Sequence, residues 1–359
     1  MSNFFRSYLL PGLLFQSVII GGGYSTGREL VEYFMSTGAI SGLLGMLITM
    51  FTWSLLLALT FEFCRVKKTY DYRAFFGALL GRGWFLFELL FIAIAILVFA
   101  VIGAASGVIF SEMTGAPEHV GTALMILSIG VLAFYGTTLI EKMISAWSFV
   151  LYGAYLTLFI VSLNALGNDV SLILREDNLI EPDALSALKY AGYNLAAVPA
   201  ILFGITHIKK RKQAIWAGIL SGPIAMLPAI MFYVVLLAQY PMVLNEDVPL
   251  LILLTALNTP VLALLFKIVI FGTYIETGVA MVHSVNERID GFRREQGKEL
   301  SHWQRVMIAA CLLLFSIYLA SSLGLVTLIG QGYGTITYGI LALYVIPLLT
   351  VGLAQLRQA

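Results

Sequence analysis

Long, mostly apolar runs constrain this chain more than any other feature of its sequence. Residues 84–108 and 261–285 are two examples, and neither alternates apolar with polar side chains. Within a bilayer every backbone amide and carbonyl must be paired inside the protein, so only helices and closed barrels can span it. Strands of a membrane barrel would alternate in polarity over about 10 residues. We therefore expect an all-α polytopic membrane protein.

The composition agrees with this class. Hydrophobic residues make up 60% of the 359 residues and charged residues only 11%, whereas an ordinary soluble domain carries about 25% charged residues. Most of the surface is therefore expected to contact the lipid bilayer. The net charge is +1, and no basic run is interleaved with aromatic residues, so the sequence indicates no nucleic-acid partner.

About ten segments are long enough to span a membrane as helices, which takes about 20 residues. The predicted spans are 7–36, 39–64, 83–111, 118–136, 141–164, 184–206, 213–239, 258–285, 304–322 and 333–355. Most of the 21 Lys and Arg residues then fall on the side of the N-terminus. By the positive-inside rule that side is the cytoplasm, and an even number of spans places both termini there. Short surface helices are predicted at 69–80 and 249–257.

The first and sixth predicted spans are interrupted. Four glycines lie between residues 21 and 27, and each weakens a helix by about 1 kcal/mol relative to alanine. The sixth span contains Pro199, which removes a helical hydrogen bond, a few residues after Asn194. Glycine also serves close packing of membrane helices, and a proline often makes only a kink, so these structural roles are the alternatives.

The positions of the two breaks predict an inverted repeat. Residues 1–164 and 184–359 would each hold five helices, joined by an extracellular linker at 165–183, and each break falls in the first helix of its half. Broken helices at matching positions of inverted halves indicate a transporter's binding site, where free amides could hold a substrate carboxylate. The predicted substrate-binding residues are Gly21, Gly22, Gly23, Tyr24, Ser25, Thr26, Gly27, Asn194 and Pro199.

Two stretches of sequence resemble a known family. The segment IIGGGYSTGRELVEYF at residues 19–34 is similar to the opening helix of the YkvI-type bacterial membrane proteins, and LIGQGYG at 328–334 is similar as well. That family is placed in the amino acid/polyamine/organocation transporter superfamily, whose members have the LeuT-type five-plus-five fold. The resemblance implies that residues 21–27 line the substrate site and that the eighth helix helps to bind a coupling ion. It also implies a bacterial inner (plasma) membrane.

An ionisable residue lies near the middle of the eighth predicted span. Charges within a membrane are costly and are functional candidates, and Glu276 has Thr273 and Thr277 beside it on nearly the same helical face. A carboxylate with two hydroxyls could bind Na⁺, and a buried carboxyl could equally bind and release a proton. The three residues are therefore the predicted coupling-ion site. The alternative is a structural Glu276 paired with a neighbouring helix.

Charged residues also open the outer half of the first span. Arg28 and Glu32 stand at i, i+4 spacing and could simply neutralise each other. A second hypothesis makes Arg28 an outer gate that reaches across to Gln331 and Tyr333. Both interpretations are compatible with the sequence.

The favoured function is secondary active transport of a small polar solute, most plausibly an amino acid or related zwitterion, coupled to H⁺ or Na⁺ by alternating access. The alternative is a channel or solute sensor built on a transporter fold, since fold does not fix function. A divalent-metal transporter is a weaker variant, because neither break contains Asp, Met or Cys.

The sequence does not indicate an enzyme. Its four histidines are scattered without paired metal-ligand spacing, and neither a nucleophile elbow nor a nucleotide-binding loop is present. Cys64 and Cys311 fall inside predicted spans, so no disulfide framework or zinc cluster is expected. We predict no cofactor and no metal site.

Overall fold

The computed structural model of the protein describes residues 4–135, 137–176, 181–294 and 301–358. Within these ranges helical backbone occupies all of the predicted spans. The helices are α1 (Leu10–Ile19), α2 (Gly22–Thr26), α3 (Arg28–Leu30), α4 (Ala39–Lys67), α5 (Tyr72–Leu80), α6 (Phe85–Thr114), α7 (Glu118–Tyr135), α8 (Thr137–Glu176), α9 (Ala184–Asn194), α10 (Val198–Ile201), α11 (Arg211–Leu236), α12 (Pro249–Ala256), α13 (Pro260–Arg294), α14 (His302–Thr327), α15 (Gly334–Ile340) and α16 (Leu353–Arg357).

The chain is a multi-pass helical membrane protein. Six helical stretches of the described residues are long and apolar enough to cross a bilayer: Ala39–Lys67, Tyr72–Thr114, Val150–Glu176, Arg211–Gln239, Pro260–Asp290 and Trp303–Arg357. The first, fourth and sixth predicted spans are absent from this set. Breaks divide the first and sixth into short helices, and the apolar part of the fourth, Glu118–Leu132, is shorter than the six. The last stretch contains both the ninth and the tenth predicted spans, with a kink at Gly324 (φ 71°, ψ 164°) and π-helical backbone at Leu328–Tyr333.

The first membrane segment breaks twice. Helix α1 stops at Ile20 (φ −76°, ψ 83°), and Gly21 is extended (φ −127°, ψ −151°) before α2 begins. Gly27 then adopts the left-handed conformation (φ 82°, ψ −8°) between α2 and α3, which only glycine enters without steric cost. After α3 the chain continues as π-helix over Val31–Met35. The glycine-rich interruption predicted from the sequence is therefore present.

The sixth segment is also irregular, but its interruption begins before the proline. Helix α9 ends at Asn194, a 3₁₀ turn covers Leu195–Ala197, and α10 follows. Pro199 lies in the first turn of α10, where its missing amide hydrogen leaves no helical bond unmade. The change of backbone geometry thus lies beside Asn194, and Pro199 starts a helix instead of kinking one.

Helix α8 is longer than the sequence suggested. The fifth span was expected to end at residue 164, yet the helix continues to Glu176, so the first part of the expected linker is helical. Residues 177–180 of that linker lie outside the described residues. The two short surface helices are confirmed, as α5 and α12.

Helices α4 and α11 form a close contact across the molecule. Ser54 of α4 donates its hydroxyl to the carbonyl of Ile219 at 2.9 Å. The Tyr233 hydroxyl of α11 donates to the carbonyl of Ala39, at the start of α4, at 3.0 Å. Hydrogen bonds of this kind help to hold membrane helices together, because lipid offers their donors no alternative partner. The pair makes a firm support on which the broken first segment packs.

Replacing Gly27 with alanine should destabilise the protein. A Cβ atom there would lie 2.9 Å from Leu236 Cδ1, and the left-handed conformation costs an L-residue about 1–2 kcal/mol. We expect a lower midpoint of thermal unfolding in detergent. The matched control is Gly77→Ala in α5, where no atom lies within 4 Å of the added Cβ and alanine favours the helix. Equal midpoints for the two variants would contradict the assigned role of Gly27.

Candidate functional site

A cavity of about 230 Å³ lies beside the break between α1 and α2. Its walls come from these two helices, α6, the end of α9, α13 and the π-helical stretch before α15. Its polar lining residues are Ser17, Glu29, Asn194, Glu276, Thr277 and Ser284. Its aromatic and larger apolar lining residues include Phe91, Ile94, Val98, Tyr193, Met281 and Tyr333. A largely apolar cleft with a few convergent polar groups is the usual form of a small-molecule site.

Part of the predicted substrate-binding set reaches this cavity. Gly21, Gly22 and Asn194 line it, and the Asn194 side-chain amide donates to the Tyr190 carbonyl at 3.0 Å. The other members of the predicted set lie outside it: Gly23, Tyr24, Ser25, Thr26, Gly27 and Pro199.

Helix α2 explains why those residues lie elsewhere. The hydroxyls of Ser25 and Thr26 donate to the carbonyls of Gly22 and Gly23, at 3.0 Å and 2.7 Å. The ring of Tyr24 packs edge-on against Tyr155 of α8, with 6.0 Å between centroids. The two hydroxyls therefore bond within α2 and the Tyr24 ring packs against α8, so none of these side chains lines the cavity.

Glu29 is the lining residue that sequence reasoning missed. The residue is only 4% exposed, and the Tyr193 hydroxyl donates to its Oε2 atom. The backbone amide of Tyr24 faces the same carboxylate. A Cβ atom on Gly23 would lie 2.5 Å from Glu29 Oε1, so the missing side chain of this glycine leaves room for the carboxylate. Because Gly27 interrupts the helix, Glu29 folds back over the first turn of α2.

Two stacked tyrosines close one side of the cavity. The rings of Tyr193 and Tyr333 lie 4.6 Å apart at 18°, and both line the cavity. The Tyr33 hydroxyl donates to the Ile329 carbonyl at 2.8 Å and holds the π-helical stretch against the first segment. Gln331, predicted beside Tyr333 as part of a gate, is exposed.

A second, much smaller cavity of about 10 Å³ adjoins Glu276, enough for about one water-sized occupant. Ser17, Ile20, Tyr152 and Thr273 also line it. Through the break, the carbonyl oxygens of Ser17 and Ile20 accept no hydrogen bond from the described residues. Two of the three predicted coupling-ion residues therefore meet unpaired carbonyls here.

The third of these residues, Thr277, lines the large cavity together with Glu276. Within the described part of the chain the Glu276 carboxylate has no hydrogen-bond or ion-pair partner. The structural alternative, a Glu276 paired with a neighbouring helix, therefore finds no partner there. Thr273 donates its hydroxyl to the Val269 carbonyl at 2.9 Å.

Arg28 forms the expected ion pair with Glu32, but it does not form the gate that the second hypothesis placed at Gln331 and Tyr333. Its Nη2 donates to Glu32 Oε2 at 2.6 Å, and its Nη1 donates to the carbonyls of Leu244 and Glu246 at 2.9 Å and 3.1 Å. The prediction that Arg28 contacts Gln331 and Tyr333 is wrong, because its guanidinium points toward the loop before α12. Glu32 makes the link in that direction, because its carboxylate lies against Gly330.

A second ion pair, which is half-buried, lies toward the other end of the bundle. Arg288 of α13 binds Glu88 of α6 at 3.0 Å, and its guanidinium stacks 3.7 Å from the ring centroids of Tyr72 and Phe91. Phe91 also lines the large cavity, so this pair is separated from the cavity by one ring.

Comparison with known proteins identifies relatives of this architecture. No family model matches the chain. The uncharacterized membrane protein YkvI of Bacillus subtilis (strain 168) is 24% identical over 348 residues, which cover 92% of each chain. A Na⁺-coupled sialic acid symporter superposes with a TM-score of 0.66 at 14% identity, over 95% of this chain and 78% of the symporter. MhsT in complex with L-phenylalanine gives 0.59 at 17% identity, over 98% of each chain.

These likenesses confirm the resemblance drawn from residues 19–34 and 328–334. The sequence likeness and the structural likeness both extend over nearly the whole chain. The protein is similar to YkvI over nearly its whole length and has the fold of the LeuT-type transporters.

Proposed function

We propose that the protein is a secondary active transporter, and not an enzyme, that moves a small polar solute by alternating access. The observation that carries the proposal is the break after α1, which brings unpaired backbone carbonyls to an interior cavity that also holds two carboxylates. Irregular backbone at membrane depth is tolerated where it lines such a cavity. An amino acid or related zwitterion is the substrate class expected from the sequence, and its amino group is the part that these carboxylates suit.

The small cavity is the proposed site of the coupling ion. Carbonyl oxygens of Ser17 and Ile20, the Thr273 hydroxyl and the Glu276 carboxylate are oxygen ligands, the kind that a hard cation takes. The same carboxylate could instead carry a proton. The site adjoins the large cavity through Glu276, which lines both, so occupation of one site would influence the other.

Alternating access needs a closure on each side of the cavity. We assign the outer closure to the Arg28 contacts and the Tyr193–Tyr333 stack, and the inner closure to the Arg288–Glu88 pair. The assignment assumes ten spans arranged as a five-plus-five inverted repeat, with residues 1–164 and 184–359 as the two halves and residues 165–183 as the linker. It also assumes that both termini lie in the cytoplasm and that the protein lies in the inner (plasma) membrane.

A ligand screen should reveal both substrate class and coupling ion. A ligand at a hundredfold excess over its Kd stabilises the folded state by about 2.7 kcal/mol. We expect the unfolding midpoint of the purified protein to rise with an amino acid or amine, and more in Na⁺ than in K⁺ or at one of two pH values. Binding without dependence on Na⁺ or pH, or without uptake into vesicles, would favour a channel or a sensor.

Glu276→Gln should abolish concentrative uptake. Glutamine keeps the size of the side chain but can neither balance a cation nor exchange a proton, so uptake into proteoliposomes should fall to the level of empty vesicles. The control is Glu118→Gln, at an exposed position at the start of α7. Unchanged uptake by Glu276→Gln, with the variant folded, would remove this residue from coupling.

Arg28→Ala should loosen the outer closure. The variant loses hydrogen bonds to two carbonyls of the loop before α12 and to Glu32, and bonds from a charged donor contribute about 1.5–3 kcal/mol each. We expect faster amide hydrogen exchange in residues 242–257. The exposed Arg357 supplies the control, Arg357→Ala. Equal exchange in the two variants would show that Arg28 does not hold this loop.

A further inference from the structure

We propose that the transported solute carries an ammonium group on an apolar body and no free carboxylate, and that Glu29 is its counter-ion. The inference rests on the proposed function, because it concerns the substrate of the same cavity. It narrows the class expected from the sequence, in which the helix break was to hold a substrate carboxylate.

The first argument is that Glu29 already occupies the anion position of the break. The amide of Tyr24, in the first turn of α2, faces its carboxylate, and a Cβ atom added to Gly23 would lie 2.5 Å from Oε1. The Tyr193 hydroxyl fixes the remaining oxygen. A substrate carboxylate brought to this place would compete with the Glu29 carboxyl group for the same donors.

The second argument is the arrangement of positive charge around the cavity. The described lining residues include the carboxylates of Glu29 and Glu276 and neither a lysine nor an arginine. Three cations on the lining elements are bound elsewhere. Arg28 contacts Glu32 and the 244–246 loop, Lys267 contacts Glu112 at 3.0 Å, and Arg288 contacts Glu88. No arginine is therefore placed to clamp a substrate carboxylate.

The third argument is the nature of the walls. Aromatic faces attract ammonium groups, and Tyr193 and Tyr333 line the cavity on the side where Glu29 lies. Ile94, Val98 and Met281 make much of the remaining wall apolar. An amine with an aliphatic or aromatic body would place its charge at Glu29 and its body against these side chains.

Matched probes separate the amine from the carboxylate. We would measure thermal shifts of the purified full-length protein, in Na⁺ and in K⁺, with 2-phenylethylamine, L-phenylalanine methyl ester, L-phenylalanine and 3-phenylpropionate. The series isopentylamine, L-leucine methyl ester, L-leucine and 4-methylpentanoate varies the body. We expect the amine and the ester of at least one series to stabilise the protein, and the amino acid and the acid to bind about tenfold more weakly or worse.

Variants of Glu29 test the counter-ion itself. Glu29→Gln should weaken binding of the amine by about tenfold or more, whereas Glu29→Asp, which keeps the charge, should retain part of it. The control is Glu118→Gln. A cooperative thermal unfolding transition in the absence of ligand shows that each Glu29 variant is still folded.

The outcomes also separate this inference from the proposed function. An amino acid that binds more tightly than its amine and is concentrated in proteoliposomes would overturn the inference and leave the transporter standing. Absence of binding by every amine would overturn the inference too, and Na⁺- or pH-dependent stabilisation would then still support transport. Amine binding that is unchanged in Glu29→Gln would remove Glu29 as the counter-ion.

Discussion

A backbone carbonyl oxygen at membrane depth needs a hydrogen-bond partner. The interior of this protein is organised around three carbonyl oxygens that accept no hydrogen bond from the backbone. The break after α1 frees the carbonyls of Ser17, Val18 and Ile20 from helical hydrogen bonding within the described chain. Facing lipid, each would cost several kcal/mol. The break is therefore enclosed by other helices, and the enclosure leaves a cavity beside it.

The amides on the other side of the same break are treated differently. Glu29 folds back to face the first turn of α2, so the Tyr24 amide meets a carboxylate of the protein itself. The carbonyls of Ser17, Val18 and Ile20 find no such partner among the described residues. This asymmetry makes the region around the break electronegative, and it follows from the order of residues in one short segment, where Gly27 ends α2 two positions before Glu29.

The features that could be predicted from the sequence are those that local physics determines. Apolar runs indicated the long helices because lipid gives the backbone no other partner, and the glycines at 21–27 indicated the break through their low helix propensity. Glu29 could not be placed, since its position depends on the φ angle of Gly27 and on Tyr193, a distant residue in sequence. The carbonyl partners of Arg28 were equally hidden, because a carbonyl leaves no side-chain pattern. The polar side chains within residues 165–176 predict a loop, but a helix can extend beyond the bilayer with polar side chains, as α8 does.

The π-helical stretch at Leu328–Tyr333 adds a dependence on length as well as on composition. A π-turn accommodates an extra residue relative to an α-turn, so every residue that follows is rotated by about 100° from where an α-helix would place it. The extra residue of the π-turn lets Tyr333 stack on Tyr193 and lets the Thr337 hydroxyl donate to the Lys189 carbonyl of α9 at 2.8 Å. Its deletion would leave the hydrophobicity of the segment nearly unchanged while turning another face toward α9.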